Sequence, residues 1–223
     1  MNYTGFFSSE DNNQIIASNV DIVDVDTQRL KYALEYINEI AQVGYQTRLD
    51  LLAHLILFGT IAPCSFIFKV TRAPILEWLD LYGKPNASKS TSGKIILAID
   101  GHEKDDDYNV NIGHVDSTAR LGDTIPQTTF PKLVDEMDFT DNKMLINNVK
   151  SAIDQPRLRK VLDRSRRAEY VPALSAFIMT SNPPPPFQIL RHILRINKLQ
   201  RILTLCCYIL TSYMHLVSLE TNS

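Results

Sequence analysis

Residues 83–91 read Gly83-Lys84-Pro85-Asn86-Ala87-Ser88-Lys89-Ser90-Thr91. This is one residue away from the phosphate-binding loop G-x-x-x-x-G-K-[ST]. The pattern has a chemical reason. Backbone N–H groups at a helix N-terminus form a nest for anions. A lysine at its mouth neutralises β- and γ-phosphate charge, and Lys89 suits that role. The next hydroxyl, Ser90, can ligate Mg²⁺, which keeps most of its water. Ser88 stands where the pattern has glycine, and its side chain crowds the approach of the backbone to phosphate. The plainer alternative is a Ser/Lys-rich turn ahead of a helix.

Two further groups follow. Leu133-Val134-Asp135-Glu136 is an apolar strand end with two acids, 46 residues after Lys89. An aspartate there can hold Mg²⁺ through water, and the following glutamate can act as general base on an attacking water. Seen alone, the pair is an exposed strand end. Ser181-Asn182 closes the run F-I-M-T. An amide at the carboxyl end of a buried strand can sit between the two earlier groups and orient that water. Its alternative is an Asn turn before Pro183.

Strands and helices must hold these groups in place. Ile75–Leu81 is β-prone and runs into the loop, and Ser92–Ile99 is expected to be helical. Val110, Ile112 and Val115 suggest a second strand, Ser117–Ile125 a short helix, and Phe130–Glu136 a third strand. Leu145, Val149 and Ile153 share one face of a helix over Asn142–Ile153. Leu174–Thr180 is the last strand, stopped by Pro183–Pro186. Strands alternating with helices predict an α/β fold with a mainly parallel sheet sandwiched by helices. Ligands of such sheets bind at the carboxyl ends of the strands. Ahead of the core, Leu30, Leu34, Ile37 and Ala41 form one helical stripe, and a more apolar helix is expected over Thr47–Phe58. The expected organisation is a flexible acidic N-terminus (1–26), a helical lead-in (27–72), a nucleotide-hydrolysing core (73–186) and an atypical helical tail (187–223).

The order of the three groups resembles the superfamily 3 helicases and related AAA+ replication ATPases of archaea, viruses and plasmids. G-K-P-N-A-S-K-S-T, K-L-V-D-E and F-I-M-T-S-N carry the resemblance, which covers roughly Leu51 to Pro186. It implies a P-loop ATPase that hydrolyses ATP with Mg²⁺ in a ring, usually a homo-hexamer, moving along single-stranded or forked DNA. It implies Lys89 and Ser90 as phosphate and Mg²⁺ ligands, Asp135 as the metal-associated acid, Glu136 as base and Asn182 as the first sensor of the γ-phosphate. Basic residues between the second and third groups can line the DNA channel in this family. Here that interval holds Arg157, Arg159, Lys160, Arg164, Arg166 and Arg167. Arg191 and Arg195 are both candidates for the arginine that reaches a neighbouring subunit's ATP.

Composition sets the outer bounds. The chain has 223 residues, a formal charge of −2, and three cysteines, Cys64, Cys206 and Cys207, at no metal-ligand spacing. These values exclude collagen, a disulfide scaffold and a wholly disordered chain. Charge is unevenly spread. Residues 1–26 carry net −5, and residues 150–201 net +8, a block suited to phosphate or to a solvated helix face. Residues 1–14 are polar without a basic start, so a reducing cytoplasm is the expected compartment. Ile202–Leu219 has no charged residue but several hydroxyls. It reads as a buried terminal helix, a weak tail anchor or non-native sequence of a truncated or frame-shifted gene. The change of character after Pro186 favours the last, and a membrane is not the expected partner. Besides an ATPase motor, a nucleotide-binding regulatory module, a P-loop phosphotransferase and a membrane-attached interaction protein fit parts of the pattern.

Overall fold

The expected alternation is realised as a four-stranded, all-parallel sheet flanked by helices. The structure is a computed structural model describing residues 3–9, 14–20, 26–73, 75–137, 143–161, 168–182 and 184. Its strands are β1 (Gly5–Ser8), β2 (Ile15–Ser18), β3 (Leu79–Tyr82), β4 (Asn109–Val110), β5 (Lys132–Val134), β6 (Arg157–Val161), β7 (Ala168–Pro172) and β8 (Phe177–Ser181). Its helices are α1 (Thr27–Gly44), α2 (Leu49–Ile61), α3 (Ser65–Val70), α4 (Lys89–Ile99), α5 (Thr118–Thr124) and α6 (Lys143–Asp154).

The sheet order is β3-β8-β5-β4. The two central strands, β5 and β8, are buried along their whole length, as expected of strands covered on both faces. Register ties Leu79 to Ile178 and Tyr82 to Ser181, and Lys132 to Phe177 and Val134 to Met179. Trp78 stacks on Phe177 with centroids 4.5 Å apart, anchoring the start of β3 in the core. Helix α4 crosses the sheet closely at Gly93. A Cβ there would lie 2.5 Å from Leu133 Cδ1, so only glycine lets the helix approach this strand without repacking. Lys132 is buried within β5. Its ammonium donates to the Asp107 carbonyl at 2.9 Å and to the Gln127 side-chain oxygen, and burial pushes its pKa down to about 8.

Several elements depart from the sequence reading. The opening segment, expected to be flexible, pairs as the antiparallel hairpin β1–β2 over Gly5–Ser8 and Ile15–Ser18. Tertiary contact explains it: Phe6 N–H donates to Thr129 Oγ1 at 3.0 Å, and a Cβ on Gly5 would overlap the Thr129 side chain. Residues 21–25 lie outside the described ones. The second strand shortens to Asn109–Val110, because Asn111 caps a single 3-10 turn over Ile112–His114. The strand expected over 75–81 pairs as Leu79–Tyr82. Within the basic block, Arg157–Val161 and Ala168–Pro172 pair antiparallel as β6 and β7, which the sequence reading did not foresee.

The lead-in at 27–72 divides. Helices α2 and α3 bury Leu55, Phe58, Ile61 and Phe68 in the common core. Leu49–Val70 is, among the described residues, the one stretch long and apolar enough to cross a membrane by length and composition. A 56% share of its apolar window is buried inside the domain. Helix α1 is capped by Asp26, whose carboxylate accepts from Gln28 N–H at 2.9 Å, yet none of its eighteen residues is buried. Lys69 joins α3 to the base of the β6–β7 hairpin. Its buried ammonium donates to the Ala152 carbonyl at 2.6 Å and the Ala173 carbonyl at 2.8 Å. Burial lowers its pKa to about 7, against the opposing pull of Asp154.

Candidate functional site

The three groups singled out in the sequence meet at the carboxyl ends of β3, β5 and β8. β3 delivers the loop 83–88 to the N-terminus of α4. β5 delivers Asp135 and Glu136. β8 lies between those two strands and delivers Thr180, Ser181 and Asn182. Together they line a cavity of about 430 Å³. All of Pro85 to Thr91, with Asp135, Glu136 and Asn182, border it; Gly83 and Lys84 stand just outside.

The loop's backbone enters the left-handed region at two residues other than glycine. Asn86 and Ser88 both take the left-handed conformation, with φ of 61° and 56°. Asparagine tolerates that region through its short polar side chain, whereas serine there carries strain of about 1–2 kcal/mol. This gives a second reason, beyond side-chain crowding, why glycine suits position 88. No side chain caps α4, the N–H groups of its first turn have no intrahelical acceptors, and residues 88–91 border the cavity. Ser92 is not available as a cap: its hydroxyl donates back to the Ser88 carbonyl at 3.0 Å and shares a 2.6 Å bond with the Tyr45 hydroxyl.

The charged side chains are linked by short contacts. Lys89 Nζ donates to the Gly83 carbonyl at 3.0 Å, the Lys84 carbonyl at 2.9 Å and Asn182 Oδ1 at 3.0 Å. Ser90 Oγ donates to Asp135 Oδ1 at 2.7 Å. The Thr180 hydroxyl donates to the same carboxylate oxygen and accepts from Glu136 N–H at 2.9 Å. Glu136 itself has φ 56°, and Met137 N–H donates to the Thr180 carbonyl at 2.7 Å. β8 thus fixes the turn that carries both acids.

Two residues of the site were not singled out in the sequence. Thr180 is one, and its signal was the period of two along a strand, which puts residues 180 and 182 on one face. Asp80 is the other. It accepts from Ser181 Oγ at 3.2 Å and sits half-buried on β3. Burial raises its pKa to about 6, while the Ser181 hydroxyl and the nearby Lys89 charge pull it the other way. An aspartate within a short apolar strand gave no sequence signal.

Arg157 is exposed on β6, and Arg159 and Lys160 belong to the same strand. Arg164, Arg166, Arg167, Arg191, Arg195 and the segment Ile202–Leu219 lie outside the described residues. Among the described residues no cluster of three or more His, Cys, Asp or Glu side chains could hold a metal ion unaided. A Mg²⁺ ion needs only one or two protein oxygens, its shell completed by water and substrate phosphate, and the Ser90 hydroxyl and Asp135 carboxylate, 2.7 Å apart, are the two oxygens that could serve here. No protein-family model matches the chain. No curated protein matches it either.

Proposed function

We propose that this chain binds ATP with Mg²⁺ and hydrolyses it as a P-loop ATPase, the motor domain of a DNA replication helicase. The observation that carries the reading is the placement of β8 between β3 and β5. It sets Lys89, Ser90, Asp135, Glu136 and Asn182 around one cavity at the carboxyl ends of three parallel strands. Chance matches to three short motifs carry no reason to converge in this order.

The residues divide the work by chemistry. The N–H groups at the start of α4 and the Lys89 ammonium hold the phosphates. Ser90 and Asp135 would hold Mg²⁺, which when bound would supply positive charge against the phosphates. Asn182 orients a water. Glu136 accepts its proton as the water oxygen bonds to the γ-phosphorus and the bond to the ADP oxygen breaks. Thr180 keeps the two acids apart in role, bonding the side chain of one and the backbone of the other. The β6–β7 hairpin, with its basic residues, is the proposed DNA contact. A homo-hexameric ring in the cytoplasm completes the reading.

A second reading, a nucleotide-binding regulatory module without turnover, draws on Ser88 in its left-handed strain and on Lys89 held by two loop carbonyls. Both features weaken the hold on the phosphates. Equilibrium binding of ATP with Mg²⁺ tests the common premise of the two. Lys89→Ala is expected to weaken binding by about 100-fold, equivalent to about 2.7 kcal/mol. Glu136→Gln is expected to bind as wild type does. Equal binding by Lys89→Ala and wild type would refute a phosphate site here.

A further inference from the structure

Ser88 holds a left-handed φ of 56° without the conformational freedom of glycine. Its carbonyl is held twice by one residue of α4. Ser92 N–H donates to it at 2.9 Å, and the Ser92 hydroxyl at 3.0 Å. The first is the ordinary bond from residue i to residue i−4 of a helix. The second is additional, and a serine hydroxyl has only one hydrogen to give. In the 2.6 Å contact between Ser92 Oγ and the Tyr45 hydroxyl, Tyr45 is therefore the donor. A directed chain results, from Tyr45 O–H to Ser92 O–H to the Ser88 carbonyl. Each bond of such a chain polarises the next, more strongly away from water, and Ser92 is buried.

Tyr45 reaches the loop from the helical lead-in, 47 residues before Ser92. It stands in the turn between α1 and α2, which Arg48 N–H closes by donating to the Tyr45 carbonyl at 2.8 Å. Its side chain is half-buried against the common core. Helices α2 and α4 run side by side in the same direction. Tyr45, just ahead of α2, meets Ser92 near the start of α4, and Gly59, near the end of α2, lies against Ile96 and Ile99 near the end of α4. A Cβ on Gly59 would lie 2.7 Å from Ile99 Cδ1, so close packing of the two helices fixes the reach of the Tyr45 hydroxyl.

The consequence falls on the loop. A trans peptide sets its N–H opposite to its C=O. With the Ser88 carbonyl turned along α4 toward Ser92, the Lys89 N–H points out of the N-terminal end of the helix. Ser88 and Lys89 both border the cavity. Glycine takes this conformation unaided, whereas serine must be held in it.

We infer that Tyr45 is a positioning residue of the loop: through Ser92 its hydroxyl holds Ser88 in the conformation that presents the Lys89 N–H to a phosphate, a role that rests on the cavity being a phosphate site. Tyr45→Phe tests it, because it keeps the packed ring and removes the hydroxyl alone. In the ligand-free protein, amide exchange at Ser92, whose N–H is held by the Ser88 carbonyl, is expected to quicken about fivefold, the scale of one intramolecular hydrogen bond, while the amides of β5 and β8 are unchanged. In equilibrium binding of ATP with Mg²⁺, Tyr45→Phe is expected to weaken affinity about fivefold. With Ser88→Gly already present, the same change is expected to weaken it by less than about twofold, since glycine needs no holding. Equal losses with and without Ser88→Gly would make Tyr45 a packing residue only and overturn the inference, as would unchanged exchange at Ser92. A wild type that fails to bind ATP would refute the phosphate site itself, and exchange at Ser92 would then decide alone whether Tyr45 holds Ser88.

Discussion

Lys89 and Ser88 are neighbours with opposite consequences for the site. The Lys89 ammonium is held by the Gly83 and Lys84 carbonyls and by Asn182, so a phosphate must replace bonds and not merely add one. Ser88 holds φ 56° at the N-cap of α4, a conformation that glycine adopts without penalty. Ser88→Gly is therefore expected to be neutral or to stabilise the protein by up to about 1 kcal/mol, after the entropic cost of glycine, and to tighten ATP binding. Thermal melting with and without nucleotide reads both effects; destabilisation beyond about 1 kcal/mol would show that the strain is absent. Asp80 gives a pH signature. Its folded pKa of about 6 lies above the ordinary carboxylate value, so between about pH 4 and 6 the folded state binds more protons than the unfolded one. Stability then falls as pH rises through that window. Asp80→Asn removes this slope, so the variant should gain on wild type from about pH 4 to 6.5 in denaturant titrations. A constant difference across that range would contradict a raised pKa at the half-buried Asp80.

Two contacts between elements hold the site in place. Gly93 sets the distance between α4 and β5, and with it the distance between the loop and Asp135. Gly93→Val would force a branched side chain against Leu133 and is expected to cost about 2 kcal/mol or more, as overpacked cores do. Lys69 clamps both ends of the β6–β7 hairpin through the Ala152 and Ala173 carbonyls. Lys69→Met leaves those carbonyls unpaired, and a loss of about 1–3 kcal/mol is expected, with faster amide exchange in the hairpin strands. Unchanged exchange there would show that Lys69 is not the clamp. These elements also mark how far sequence reasoning reaches. The parallel strands and α4 were legible because long apolar runs, a helical stripe and turn residues all point the same way. The β1–β2 hairpin was not, because its order depends on Thr129, more than a hundred residues away. The β6–β7 hairpin was hidden because its arginines and lysine read as a solvated helix face. Asp135 and Asn182 were found from their positions at strand ends, whereas the supporting Thr180 emerged only when β8 was seen between its neighbours.

At the scale of the whole molecule, the described residues form a polar cavity at one set of strand ends, an antiparallel strand pair between α6 and β8 in sequence, and a helix, α1, with no buried residue. Under the proposed contact of the β6–β7 pair with DNA, affinity for DNA is expected to be salt-dependent. Charge reversal of Arg166 and Arg167, which fall between β6 and β7 in sequence, is expected to make the dependence of log affinity on log salt shallower for single-stranded DNA. The slope should drop by about 0.7 for each phosphate that the two arginines no longer neutralise. An unchanged slope would remove the pair from the DNA-binding surface. Turnover at the cavity is read by steady-state ATP hydrolysis of the full chain, with and without single-stranded DNA. Wild type is expected to hydrolyse ATP faster when DNA is present, with Lys89→Ala and Glu136→Gln each about 100-fold slower or more. Wild-type turnover no faster than that of both variants would exclude hydrolysis at this cavity.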